Sequence, residues 1–219
     1  MPALADFRTR VLNTLKSTNV KFEDTMVDEA LRKALDDYSR AFPNSTNKTI
    51  TITTASRTQD ISACTGLMNI TKLVHPYNDA AADPFVCTRE HFYLTWVNGN
   101  PTIFFSWGGI PQVNEKIYIE YTIRQTIENL DSASATTVRD DHQSMLITGA
   151  AGLASMSRAS GILEQWGGKP MDPNQLLLWG NQQYRRFLDF LADIRTEQIT
   201  GIFPDSFWDL DDYDSKDNW

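Results

Sequence analysis

The sequence has little of what most chemistry needs. Its two cysteines, Cys64 and Cys87, are too few for a disulfide framework, and their spacing fits no zinc pattern. Buried thiols in a reducing compartment are the simple expectation. Histidine occurs only three times. There is no nucleophile elbow, phosphate-cradling glycine loop, dinucleotide fingerprint or paired-histidine zinc helix, so no catalytic, cofactor-binding or metal-binding residue is assigned. Long apolar runs are missing too. The longest, 145–156, is too short and too interrupted to cross a bilayer. The first residues, MPALADFRTRVLNTLK, are amphipathic and lack the apolar core of a secretory leader, so no membrane is expected. Basic charge is scarce as well: 20 Lys and Arg stand against 28 Asp and Glu, a net of −8. That balance argues against a sequence-independent nucleic-acid binder, which needs a positive surface. No repeat of solenoid period is found.

What is present suits a globular chain able to bury a proper core, with 219 residues, 41% of them hydrophobic and 22% charged. The negative charge is concentrated at one end. Residues 201–219 hold six Asp and one Lys, a net of −5 that leaves −3 for the other 200 residues. The body is near neutral and the acid lies in a tail.

Periodicity divides the chain. Phe7, Val11, Leu12 and Leu15 predict a helix over 3–17. A second runs from about Thr25, capped by Asp24 or Thr25 with Asp28 in its first turn, and Val27, Leu31, Ala34, Leu35 and Tyr38 form its apolar stripe. Pro43 stops it. The period then changes from helical to alternating. Residues 49–53, 67–74, 92–97, 102–107 and 115–125 read as strands, with 98–101 as a hairpin turn and 79–84 as a loop. In 115–125, Ile117, Ile119, Tyr121 and Ile123 share one face and polar groups the other, as antiparallel pairing requires. Thr136 or Thr137 caps a long helix over 136–163. Residues 166–170 make a hinge, and Asp172-Pro173 opens a final helix over about 174–196. The fold class expected is α+β: N-terminal helices (1–43), an antiparallel β insertion (44–130), a long C-terminal helical pair (131–200) and an extended acidic-aromatic tail (201–219).

The long helix is poor in side-chain bulk at its middle, where each interior Gly costs about 1 kcal/mol relative to Ala. Close approach of another backbone is the usual compensation. Leu146, Gly149, Gly152, Leu153 and Met156 are the expected packing face, which His142 and Leu163 extend at helical spacing. They would meet a stripe of Leu177, Tyr184, Leu188, Leu191 and Ile194, or a neighbouring subunit. Asp140, Asp141 and His142 could bind a metal or serve as an acid–base cluster of a hydrolase. Successive helical residues point about 100° apart, so they read more simply as first-turn acids and a half-buried His. The run 209–214 has calcium-loop composition but lacks the sixth-position Gly and terminal Glu of such a loop. Its aromatics among acids suit a linear segment that orders on a partner. Trp96, Trp107, Trp166 and Trp179 read as core or interface residues, with a carbohydrate- or protein-binding β module as the alternative.

Several phrases, in order, resemble the adaptor (head-completion, neck, head-to-tail connector) proteins of tailed bacteriophages. Residues 31–43, LRKALDDYSRAFP, resemble that family's second helix. A short strand follows at 49–53, then a strand running into Pro76-Tyr77-Asn78. A long Ala/Gly-rich helix follows at 145–159 and an aromatic, charged one at 184–195. The resemblance spans about residues 25–197, and the strands from Phe92 to Trp107 are more extensive than the family's small β insertion. It implies a structural virion protein, not an enzyme. Such a protein assembles in the host cytoplasm as a homo-oligomeric ring, a dodecamer in the family, beneath the portal protein. The ring extends the DNA channel, which DNA passes without sequence-specific binding, and meets a tail-side connector, stopper or tail-terminator protein. The tail would then reach the portal through Phe203, Phe207, Trp208, Asp209, Asp211, Asp212, Tyr213 and Trp219.

Overall fold

The computed structural model describes residues 2–15, 21–78, 86–87, 91–106, 108–164 and 172–200, with 162–164 and 197–200 described by their backbone alone. The chain is α+β with antiparallel sheets, and it forms two compact units. One is built from the chain before Pro43 and after Arg124, and the other is Pro43–Arg124.

The helical unit contains α1 (Leu4–Leu15), α2 (Asp24–Ala41), α3 (Gln143–Glu164) and α4 (Pro173–Thr200). α1 buries Leu4, Phe7, Val11 and Leu15, the spacing its sequence predicts. α2 begins at Asp24 after Glu23, whose side chain makes no cap bond. It buries the expected stripe and stops one residue before the Phe42-Pro43 break. Asp28 is not a solvated first-turn acid: its carboxylate receives the Arg8 guanidinium of α1 through both oxygens.

Two expectations for the long helices need correction. α3 begins at Gln143 rather than Thr136. The Thr136 and Thr137 hydroxyls are engaged elsewhere, accepting from the backbone N–H of Glu128 and Thr126 at 2.9 and 2.8 Å. Local hydroxyl–backbone bonds of this kind compete with helix formation, and residues 140–142 form a turn instead. Nor is α3 apolar on one face alone. Leu146, Ile147, every residue from Gly149 to Gly152, and Leu153 to Ser155 are buried, so its centre is enclosed all round. On α4 the inward face is Leu176, Gly180, Phe187, Leu191 and Ile194, while Leu188 is 41% exposed. The predicted stripe included Leu188 and missed Gly180 and Phe187, because a glycine at the contact leaves a gap in any count of apolar side chains. At its start Asp172 accepts the Asn174 N–H on Oδ1 at 3.0 Å, with Pro173 as first residue.

Glycine explains how α3 and α4 meet. A Cβ on Gly152 would lie 2.8 Å from the Gly180 carbonyl oxygen and 2.8 Å from the Tyr184 nitrogen. A Cβ on Gly180 would lie 2.8 Å from the Gly152 carbonyl oxygen, and one on Gly149 would enter the Phe187 ring at 2.5 Å. The two backbones touch, and the Phe187 ring lies over the bare Cα of Gly149.

The second unit has two sheets. β1 (Asn44–Thr51), β7 (Lys116–Ile123), β3 (Asn69–Val74) and β4 (Val86–Cys87) form one in that order. β2 (Thr58–Asp60), β6 (Asn100–Phe105) and β5 (Phe92–Val97) form the other. All neighbours are antiparallel, and one core holds inward residues of both, among them Leu73, Ile103, Phe105, Ile117 and Ile119. β1 begins at Asn44, ahead of the alternating run, because its polar first half pairs with Ile119–Ile123 of β7 while its side chains stay mostly exposed. Asn98 and Gly99 turn the β5–β6 hairpin, both with positive φ (52° and 82°), as a two-residue hairpin turn demands. The two ends of this unit leave from a shared anchor in the helical unit: Gln125 donates from Nε2 to the Phe42 carbonyl at 2.9 Å and from its backbone N–H to Ser39 Oγ at 3.0 Å. The expected loop at 79–84, the hinge at 166–170 and the tail at 201–219 lie outside the described residues.

The glycine contact predicts opposite outcomes for one chemical change at two sites in α3. Gly152→Ala forces backbone apart and is expected to cost about 2–3 kcal/mol net of the helix-propensity gain. Gly161→Ala meets nothing within 4 Å and is expected to stabilise by a fraction of 1 kcal/mol to about 1 kcal/mol. Chemical denaturation of the two variants checks this, and equal shifts would remove the close-packing argument.

Candidate functional site

The last turn of α2 carries three polar contacts that reach other parts of the helical unit. Asp37, Tyr38 and Ser39 each reach a different element. Asp37 accepts the Tyr184 hydroxyl of α4 at 2.8 Å. Ser39 Oγ accepts from Gln125 and donates to the Leu35 carbonyl at 2.6 Å. Tyr38, with no exposed surface, bonds His142 Nδ1 at 2.8 Å just before α3. Burial pushes the Tyr38 phenol up to about 12, so it is a neutral hydroxyl and shares one hydrogen with Nδ1. The other ring nitrogen, Nε2, lies 3.7 Å from Asp141 Oδ2. The imidazole meets the rings of Tyr38, Phe42 and Phe190 edge-on, at centroid distances of 5.7, 5.3 and 5.2 Å.

This is where the structure places the candidate acid–base cluster, and it does not bring the three groups to one point. Asp141 forks onto Arg139 at 3.1 and 2.6 Å, and that pairing lowers its carboxyl below the ordinary value. Asp140 accepts the Gln143 side-chain amide at 2.8 Å. Both carboxylates are occupied and one imidazole nitrogen is used. Among the described residues no group of three His, Cys, Asp or Glu could hold a metal ion. The arrangement joins α2, the lead-in to α3, and α4.

The sheet unit holds a constellation that sequence reasoning missed. His75, Cys87, His91, Phe105 and Glu115 line a cavity of about 270 Å³. His75 Nε2 lies 3.1 Å from Glu115 Oε2, which also accepts the Gln112 N–H at 2.8 Å. The pair forms because β3 and β7 are neighbours, with Val74 opposite Tyr118. No local pattern marks a contact across 40 residues. An imidazole–carboxylate pair can shuttle a proton, but the thiol beside it is not activated: burial raises Cys87, with a smaller opposing effect from a backbone bond at His75. Both cysteines are free and buried.

Of the predicted packing residues, Leu146 has no exposed surface, Gly149 and Gly152 face α4 of the same chain, and Leu153 and Met156 reach an open groove. That groove, about 610 Å³, lies among α2, α3 and the start of α4, with Met26, Ala30 and Leu177 as its other apolar walls. A second groove, about 470 Å³, runs between the end of α2 and the last turns of α4, lined by Asp37, Arg40, Leu188, Leu191, Ala192 and Arg195. Trp179 packs against the helical core. Trp96 is 57% exposed and Tyr93 52%. Three residues apart on β5, they face opposite sides of the sheet and make no common sugar platform. Trp107, Trp166 and all the tail residues lie outside the described residues.

No family model and no curated protein matches the chain. Among solved structures, a chain of the neck of an empty gene transfer agent particle is similar at a TM-score of 0.29 and 13% identity, over 73% of this chain and 79% of that one. A chain of the virion of a native gene transfer agent particle is similar at a TM-score of 0.31 and 14% identity, over 84% and 88%.

The buried phenol gives a pH dependence. Tyr38 is shifted upward from 10.0 to about 12, so the folded chain holds this proton more tightly than the unfolded one. Its contribution is complete below pH 10 and is lost as pH rises towards 12. Tyr184, pushed up to about 12 by burial and then by Asp37, acts in the same direction. The Tyr38 share is about 2–3 kcal/mol. Denaturant midpoints measured through this alkaline range are expected to fall, and less steeply in Tyr38→Phe. An unchanged slope in the variant would exclude Tyr38 as the source.

Proposed function

We propose that this chain is a non-enzymatic structural component of a phage-type neck. In this reading it is an adaptor that forms a homo-oligomeric ring beneath the portal, extends the DNA channel and links the capsid to the tail machinery. The observation that carries the reading is the end of α2. The phrase Asp37-Tyr38-Ser39, at the centre of the resemblance to phage adaptors, is also where α2 is tied to α4, to the approach of α3 and to Gln125. Residues that mark a family by sequence are here the ones that hold the helices in register, as expected where the shared property is architecture. The order of elements supports it as well, with α2 running directly into β1 and the small-residue helix α3 followed by α4.

The charge distribution fits passage of DNA. A near-neutral body does not bind passing phosphates strongly, whereas a basic wall would release counterions and stall the strand. The acidic-aromatic segment at 201–219 is the portal-docking element in this proposal. Phe203, Phe207, Trp208, Tyr213 and Trp219 serve as anchors, and Asp209, Asp211 and Asp212 set its charge. The site of action is the virion neck after assembly in the host cytoplasm, with a stopper or tail-terminator on the other face of the ring.

Mixing the full chain with the cognate portal is expected to give a ring-on-ring complex by electron microscopy. Deleting 201–219 is expected to lower portal affinity at least tenfold while leaving the helical unit folded by circular dichroism. Undiminished docking by the shortened chain would remove the tail assignment, and no complex with the full chain would remove the adaptor reading.

A further inference from the structure

We propose that β5 is a docking edge, and that in the free chain it pairs antiparallel with β5 of a second copy. The inference does not depend on the adaptor reading. It concerns a two-fold contact that closes at two copies, unlike the head-to-tail contact that builds a ring.

The backbone sets the direction of the free groups. β5 is an end strand of its sheet, next to β6 alone. Val97 pairs with Asn100 beside the two-residue turn, and the His91 carbonyl accepts the Ser106 N–H at 2.9 Å in the same register. Residues 91, 93, 95 and 97 therefore direct their backbone groups to β6. Phe92, Leu94 and Trp96 turn theirs the other way, and among the described residues no hydrogen bond reaches them. The other sheet edges are blunted. β4 has two residues and β2 three, ending in Asp60, while β1 carries Lys48 and mostly polar side chains. Short length and charge are how edges deter pairing. β5 has six residues with no charge, no proline and no break in register, and its Tyr93, Trp96 and Val97 are exposed.

The same strand supplies the complementary edge. With a two-fold axis through Leu94, that residue faces its own copy, and Phe92 faces Trp96 in both directions. Each such pair exchanges two backbone bonds, so every outward N–H and C=O of both strands is met. Moving the axis to Tyr93 leaves Trp96 without a mate, and moving it to Thr95 leaves Phe92 without one. An axis perpendicular to the sheet keeps like faces together. Leu94 and Phe92, which pack on the core of their own unit, then continue that apolar face across the axis, with Trp96 beside the opposing Phe92. On the outer face Tyr93 lies opposite Thr95. Aromatic and β-branched pairs of this kind are favourable across strands, and no like charges are opposed.

The test uses the full chain without portal. Sedimentation of the natural sequence from about 1 μM to 1 mM is expected to show a monomer–dimer equilibrium. Leu94→Pro removes one outward N–H and no bond to β6. It is expected to weaken association at least tenfold, with circular dichroism confirming the fold. Leu94→Cys is expected to form an intermolecular disulfide on mild oxidation, because opposed Cα atoms in such a pair lie about 5.5 Å apart, within disulfide reach. Val97→Cys lies roughly 20 Å from its counterpart in this register and is expected not to crosslink. The natural thiols Cys64 and Cys87 are buried and stay out of the reaction. A monomer throughout the range overturns the proposal, as does association that Leu94→Pro leaves unchanged. A larger assembly whose Leu94→Cys form does not crosslink places the contact elsewhere and also overturns it. Crosslinking through Val97→Cys as fast as through Leu94→Cys overturns the register and the pairing with it.

Discussion

The helical unit depends on a contact between two backbones. At Gly152 and Gly180 the helices α3 and α4 come so near that a single methyl group on either would meet the other's carbonyl oxygen. Each glycine costs the isolated helix about 1 kcal/mol. The return is a close approach that places the Phe187 ring over Gly149 and brings Tyr184 to Asp37 at the end of α2. With α4 on one side and α1 and α2 on the others, the middle of α3 has no solvent face. An all-round buried helix has no single stripe, and the small residues of 149–152 are what let several elements crowd it.

How much of this the sequence discloses follows from the range of the interactions involved. α1, α2 and β7 are legible because their burial periods are unbroken: Phe7, Val11 and Leu15, or Ile117, Ile119 and Tyr121, point one way by local geometry alone. Asn98-Gly99 is legible because positive φ selects those residues. The start of α3 is not, because the Thr136 and Thr137 hydroxyls look like caps and are used by Glu128 and Thr126 instead. The inward face of α4 is misread by about one residue, since its central contact, Gly180, has no side chain to count. The division of the strands into two sheets depends on partners far along the chain, and the polar residues 44–48 carry no strand signal apart from their ladder with β7.

The same distinction applies to chemistry. Asp140, Asp141 and His142 are adjacent in sequence and suggest a cluster, yet their partners are Gln143, Arg139 and Tyr38. The His75–Glu115 pair, which does share a cavity, is invisible until β3 and β7 are laid side by side. His142 lies among aromatic edges and bonds a phenol that burial keeps neutral. It contributes direction to helix packing, where a Leu of similar volume would contribute area alone.

Gln125 clamps the point where the chain returns from its β excursion, holding Phe42 with its side chain and Ser39 with its backbone. Between Phe42 and Gln125 lie 82 residues that leave and re-enter at one doorstep. Loop closure grows only with the logarithm of length, so doubling such an excursion costs about 0.6 kcal/mol. The helical unit is therefore nearly indifferent to what is carried between those two residues. The residues carried between them can change in number or in surface without moving that clamp.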